Sequence, residues 1–101
     1  MTVTILLELP IRPDAENVDD ILRFDLPATA AYPGNEGTEV ITDDARPELL
    51  FLLTRWSSME AYEAYFAWRQ SPQGRTRLNE IAAGAPTIHR FRTHLRFSPF
   101  N

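Results

Sequence analysis

The sequence predicts an α+β fold, a ferredoxin-like sandwich built in the order strand, helix, strand, strand, helix, strand. Three stretches carry this expectation. Val3, Ile5, Leu7, Leu9 and Ile11 alternate with Thr4, Leu6 and Glu8, the period of two expected of a strand with one strongly buried face. Leu49-Leu50-Phe51-Leu52-Leu53 is an apolar run too short to cross a membrane and rich enough in large side chains to be a strand buried on both faces. Directly after it, Trp56-Ser57-Ser58-Met59-Glu60 places a Ser three residues before a Glu, so hydroxyl and carboxylate can each satisfy a free amide where a helix starts.

The remaining elements follow in chain order. Pro13-Asp14 closes the first strand, and Asp14 is the expected N-cap of a helix carrying Val18, Ile21, Leu22 and Leu26 on its apolar side. Pro27 predicts a kink or break, and Tyr32-Pro33-Gly34 ends the element. Gly37 to Thr42 reads as a short second strand, joined to the third by a turn at Asp43 to Pro47. After the second helix, Ser71-Pro72 is expected to start a further helix through Leu78 and Ile81 to a stop at Gly84. Thr87 to Phe97 is the last strand, with His89, Phe91, Thr93, Leu95 and Phe97 on one face and Arg90, Arg92, His94 and Arg96 on the other.

A chain of 101 residues makes one domain, 1–101, with a single core. Both helices should cover one face of the sheet. The third strand is apolar on both sides, so the uncovered face predicts a homodimer in which a second copy buries it. The net charge of -4 argues against general nucleic-acid or anionic-membrane binding, since both require positive charge facing phosphate. Without cysteine there is no disulfide, no thiolate nucleophile and no thiolate metal site. All ten basic residues are Arg, which excludes Lys Schiff-base and general-base chemistry. The amino-terminal MTVTILLELP lacks a basic n-region and a small-residue cleavage site and is read as the first strand of a mature, cytoplasmic protein.

Tyr32-Pro33-Gly34, then Trp56-Ser57-Ser58-Met59-Glu60-Ala61-Tyr62, then Ser71-Pro72, in this order and at this chain length, resemble the antibiotic biosynthesis monooxygenase family. The resemblance covers nearly the whole chain. It implies a dimeric α/β barrel, and a cofactor-independent monooxygenase that uses O2 on an electron-rich aromatic such as an anthrone or quinol. The anthrone-oxidising branch has a Trp closing the strand and a Tyr six residues on, matched here by Trp56 and Tyr62. It also has an Arg after the Pro that follows the helix, for which Arg77 or Arg75 is available, and an Asn four residues before the Trp, where this chain has Leu52. The haem-degrading branch departs further: Leu6 or Leu7 stands in place of its Asn, Tyr65 in place of its Trp, and no His falls between Asn79 and Ile81. No cofactor is expected.

Tyr62, Tyr65, Phe66 and Arg69 recur at helical spacing, so one helix face carries two phenols, a phenyl ring and a guanidinium. Such a stripe is either core or the wall of an apolar chamber. In the second case Tyr62 bonds the substrate oxygen, Trp56 stacks and donates through its indole N–H, and an Arg stabilises the anion. Leu52, Tyr65 and Phe66 then contact the substrate, with Trp68 and Arg69 at the mouth. His89 is either a base near neutral pH or a satisfied core histidine. Asp25, four residues after Ile21, is either a pocket base or a solvated carboxylate frayed by Pro27. The Arg90, Arg92, Arg96 stripe is expected to meet Glu8. His89 and His94 differ by an odd number and cannot grip one metal from a strand, so no metal is expected. The rival function is a non-catalytic dimeric module that binds a small apolar ligand.

Overall fold

The computed structural model describes residues 2–99. Four strands, β1 (Val3–Pro10), β2 (Asn35–Asp43), β3 (Arg46–Trp56) and β4 (Thr87–Arg92), form one antiparallel sheet in the order β2-β3-β1-β4. Two helices, α1 (Val18–Ala31) and α2 (Met59–Gln70), cover one face of it. The chain is thus the expected βαββαβ sandwich.

Pairing of Ile5 with Thr54 and of Leu7 with Leu52 aligns the buried parity of β1 with that of β3. Val3, Ile5 and Leu9 therefore join Leu50, Leu52 and Trp56 under the helices, and Ile21, Leu22 and Tyr62 close the core from above. A one-residue slip would turn every one of these side chains to the other face, so the apolar period of β1 sets the parity of the pairing. The opposite parity, Leu6, Phe51, Leu53 and Ile41, faces away from the helices.

Several local expectations are corrected. Asp14 does not cap α1. A turn closed by Ala15 N–H to the Arg12 carbonyl absorbs Pro13-Asp14, and the helix starts from Asn17, a left-handed residue at φ 59° whose carbonyl accepts from Ile21 N–H. Pro27 neither breaks nor ends α1, which continues to Ala31 with the Pro27 ring exposed. Ser58, not Ser57, caps α2 by accepting from Ala61 N–H at 3.1 Å, while Ser57 N–H is bonded to the Gly34 carbonyl. The helix expected from Ser71 to Gly84 is instead two single 3-10 turns, Pro72–Gly74 and Leu78–Glu80. Its backbone groups have other partners: Gly74 O accepts from Arg69, Arg77 N–H donates to Asp25, and Ala83 N–H donates to Pro10 O. Finally, β4 ends at Arg92 rather than Phe97.

The face of β4 that carries His89 and Phe91, expected to be buried, does not turn toward the helices. Ile88 pairs with Leu7, Arg90 with Ile5 and Arg92 with Val3, so these three share the helix side. His89 and Phe91 lie on the bare side, stacked on each other with centroids 6.2 Å apart. Glu8 lies opposite Thr87 and Phe51 and does not meet the arginine stripe. Register with β1, which a single edge strand cannot announce, decides this parity.

Candidate active site

Between the sheet and the two helices lies a cavity of about 490 Å³, within the range of small-molecule sites. Its floor is Ile5, Leu7, Leu9 and Leu52, its roof Leu26, Tyr62, Tyr65 and Phe66, and its open side the segment from Thr76 to Pro86.

Besides Thr54, Gln70, Thr76 and Asn79, which also line the cavity, polar groups enter the wall at the α1–α2 contact and at Tyr62. At the α1–α2 contact, Arg69 donates through Nε to the Tyr65 hydroxyl at 2.9 Å, and through one terminal nitrogen to Thr29 Oγ1 at 2.7 Å and the Asp25 carbonyl at 2.8 Å. Its other terminal nitrogen donates to Gly74 O at 3.1 Å. The guanidinium is therefore fixed, with its Cζ also 4.7 Å from the Trp68 ring centroid. The Thr29 and Tyr65 hydroxyls lie 2.8 Å apart. Both already accept from Arg69, so one of them donates to the other. When Thr29 is that donor, the Tyr65 proton is free to point at a ligand.

Asp25 sits one turn before Thr29 and is only 3 % exposed. Its Oδ2 accepts from Arg77 N–H at 2.8 Å, and Oδ1 is left open to the cavity it lines. Burial pushes this carboxyl above its ordinary value; the Arg77 N–H and the charges of Arg69 and Arg77 offset part of the rise. The frayed, solvated reading of Asp25 is thus corrected. α1 runs on past Pro27 and carries the carboxyl inward.

At the second place Tyr62 lines the cavity, with its phenol raised by burial and partly lowered by Arg90. None of the described residues hydrogen-bonds its hydroxyl. Behind it Trp56 is fully buried and donates its indole N–H to Thr54 Oγ1 at 2.8 Å. The Trp56 ring packs 5.9 Å from Tyr62 and 4.9 Å from Tyr65, and Tyr32 seals the cluster from the far side.

Among the residues singled out from sequence, Tyr62, Leu52, Tyr65, Phe66 and Asp25 come together on the cavity wall. Trp56 and Trp68 back that wall without lining it. Trp56 therefore does not offer its N–H to a ligand. Arg77 presents only its backbone to the site, while its side chain pairs with Glu80 at 2.9 Å and lies over Phe24. His89 faces the other side of the sheet. Thr29, Thr54, Gln70 and Asn79 were not singled out. A signal for the first existed: Asp25/Thr29 and Tyr65/Arg69 are each polar pairs four residues apart on otherwise apolar helix faces.

The family model of the antibiotic biosynthesis monooxygenases matches residues 2–76. Among solved structures, Rv0793 of Mycobacterium tuberculosis has a TM-score of 0.76 at 20% identity, over 97% of this chain and 100% of that one. A variant of SnoaB, a cofactor-independent oxygenase from Streptomyces nogalater, has a TM-score of 0.76 at 12% identity, over 94% of this chain and 95% of that one. A conserved protein of Methanosarcina mazei reaches 0.74 at 15%, over 91% and 92%. At these identities the likeness is one of fold. No protein of curated function matches the chain.

Proposed function

Because this chain belongs to the antibiotic biosynthesis monooxygenase family, we propose that it is a cofactor-independent monooxygenase acting with O2 on an electron-rich aromatic of the anthrone or quinol type. The observation that carries this reading is the buried Asp25 carboxyl, with one oxygen held by Arg77 N–H and the other open to a cavity walled mainly by apolar side chains.

In this reading Asp25 takes the proton that activates the substrate. A base whose pKa is raised by burial is better matched to a weakly acidic phenol or anthrone than a solvated carboxylate. The substrate anion is held by the Tyr62 and Tyr65 hydroxyls, with the fixed charge of Arg69 behind Tyr65. The electron-rich anion passes one electron to O2, and recombination forms a C–O bond. The peroxide takes up a proton; loss of the remaining proton on that carbon, with cleavage of the O–O bond, then gives a carbonyl and water. One oxygen atom ends in the product and one in water, so substrate and O2 supply all the electrons. The apolar walls exclude water from the anion and the peroxide.

The bare sheet face supports a homodimer. Leu6, Leu53, Phe51 and Ile41 form a contiguous apolar surface, with Phe91 51% exposed at its edge. No helix among the described residues is long and apolar enough to cross a membrane.

Oxygen uptake with a panel of anthrones and quinols tests the function. Turnover by wild type that is lost in Asp25→Asn and strongly reduced in Tyr62→Phe is the expected result. Unchanged turnover in both variants excludes this site. Binding without turnover on any substrate supports the rival reading, a dimeric module for a small apolar ligand; the apolar Leu52 on the floor favours that alternative.

A further inference from the structure

Arg90 stands at the edge of the cavity on three counts. It is the register partner of Ile5 and lies two residues from Ile88, both of which line the cavity. Its guanidinium lies over the ring of Tyr62, a third lining residue, 5.2 Å from the centroid. Unlike Arg23, Arg46, Arg55 and Arg77, it forms no ion pair among the described residues. It is exposed, and it sits on the helix side of the sheet, away from the bare face.

A guanidinium resting on an aromatic ring keeps its N–H edges free, and its planar fork matches a carboxylate in two parallel hydrogen bonds. An aromatic ring in the chamber would present its outer end toward this fork. From this placement we propose that Arg90 is a specificity-determining residue that selects aromatic substrates bearing a carboxylate at the end that faces the cavity edge. The inference rests on the cavity being the substrate site but not on the oxygenation chemistry.

Two probes of equal ring size separate the possibilities: 6-hydroxy-2-naphthoate and 2-naphthol, titrated calorimetrically near neutral pH. Wild type is expected to bind the acid roughly fivefold more tightly, as one partly exposed charge pair allows, with the preference shrinking as salt is added. Arg90→Gln should bind both probes alike, Arg90→Lys should keep part of the preference, and Arg92→Gln should keep all of it. Equal binding of the two probes by wild type, a preference that survives in Arg90→Gln, or failure of both probes to bind overturns the proposal. Absence of oxygen uptake with the acid preference intact overturns only the monooxygenase reading.

Discussion

The hydroxyls of Thr29 on α1 and Tyr65 on α2 meet at 2.8 Å, and Arg69 donates to both. This contact ties the two helices over the cavity and also ties them, through Gly74 O, to the first 3-10 turn. Arg69 is thus a positioning residue before it is a charge. Arg69→Met keeps the stem but takes a donor from four acceptors, of which the Thr29 and Tyr65 hydroxyls keep only each other. Unpaired buried groups cost about 1–3 kcal/mol each, offset wherever water can enter from the cavity. The expected loss is about 2–4 kcal/mol in urea unfolding, with Arg69→Lys intermediate. A loss below about 0.5 kcal/mol, the size of an ordinary surface change, would show that the network does not hold the helices.

Asp25 makes stability depend on pH in a definite direction. Its folded pKa lies above 3.8, chiefly through burial, so folding favours the protonated form. The stability this group contributes is complete below 3.8 and is lost as pH rises through its raised folded value. Asp25→Asn keeps a neutral group and an acceptor for Arg77 N–H. It should be more stable than wild type near neutral pH, with the gap closing as pH falls below that raised value. A variant less stable than wild type at neutral pH contradicts the argument. In the oxygenase assay, wild-type activity should climb with pH as Asp25 ionises, whereas Asp25→Asn should lack this limb and fall about a hundredfold, the usual worth of a positioned base.

Tyr62 tests the anion-holding role apart from folding. Removing its unpartnered hydroxyl leaves no hydrogen bond broken within the chain, so Tyr62→Phe should unfold within about 0.5 kcal/mol of wild type. Its kcat/KM should fall about tenfold or more, the worth of one lost hydrogen bond to a developing charge. Equal kcat/KM would remove Tyr62 from the site.

Gly34 joins the end of α1 to the start of β2 at φ +92°, and a Cβ there would lie 2.5 Å from the Ala61 Cβ. Its carbonyl also accepts from Ser57 N–H, where β3 turns into α2. Gly34→Ala adds a steric clash to an unfavourable backbone conformation and should cost about 2–4 kcal/mol in thermal or urea unfolding. A variant as stable as wild type would mean that the corner shifts freely.

The bare sheet face predicts its own outcome. Leu53, opposite Leu6 at the centre of that face, points away from the core. Leu53→Glu should convert a dimer to a folded monomer in light scattering at micromolar concentration. A wild-type chain that is already monomeric there would remove the second copy from the picture.

The order of elements, the α1–β2 corner at Gly34, the two-residue period of β1 and the helical stripe from Tyr62 to Arg69 were all legible in the sequence, because each rests on a local period or a turn residue. What only the tertiary structure decided were the relations that no local period encodes. The parity of β4 came from its pairing with β1. It sent His89 away from the site and brought Arg90 beside Tyr62. α1 continues past Pro27, and on it Asp25 and Thr29 meet Arg69 and Arg77 from far along the chain. Those contacts hold an apparently frayed carboxylate buried and give backbone groups of the segment after Pro72 partners outside a helix. A sequence states which faces want to be buried; which polar groups meet behind those faces depends on closing the chain in three dimensions.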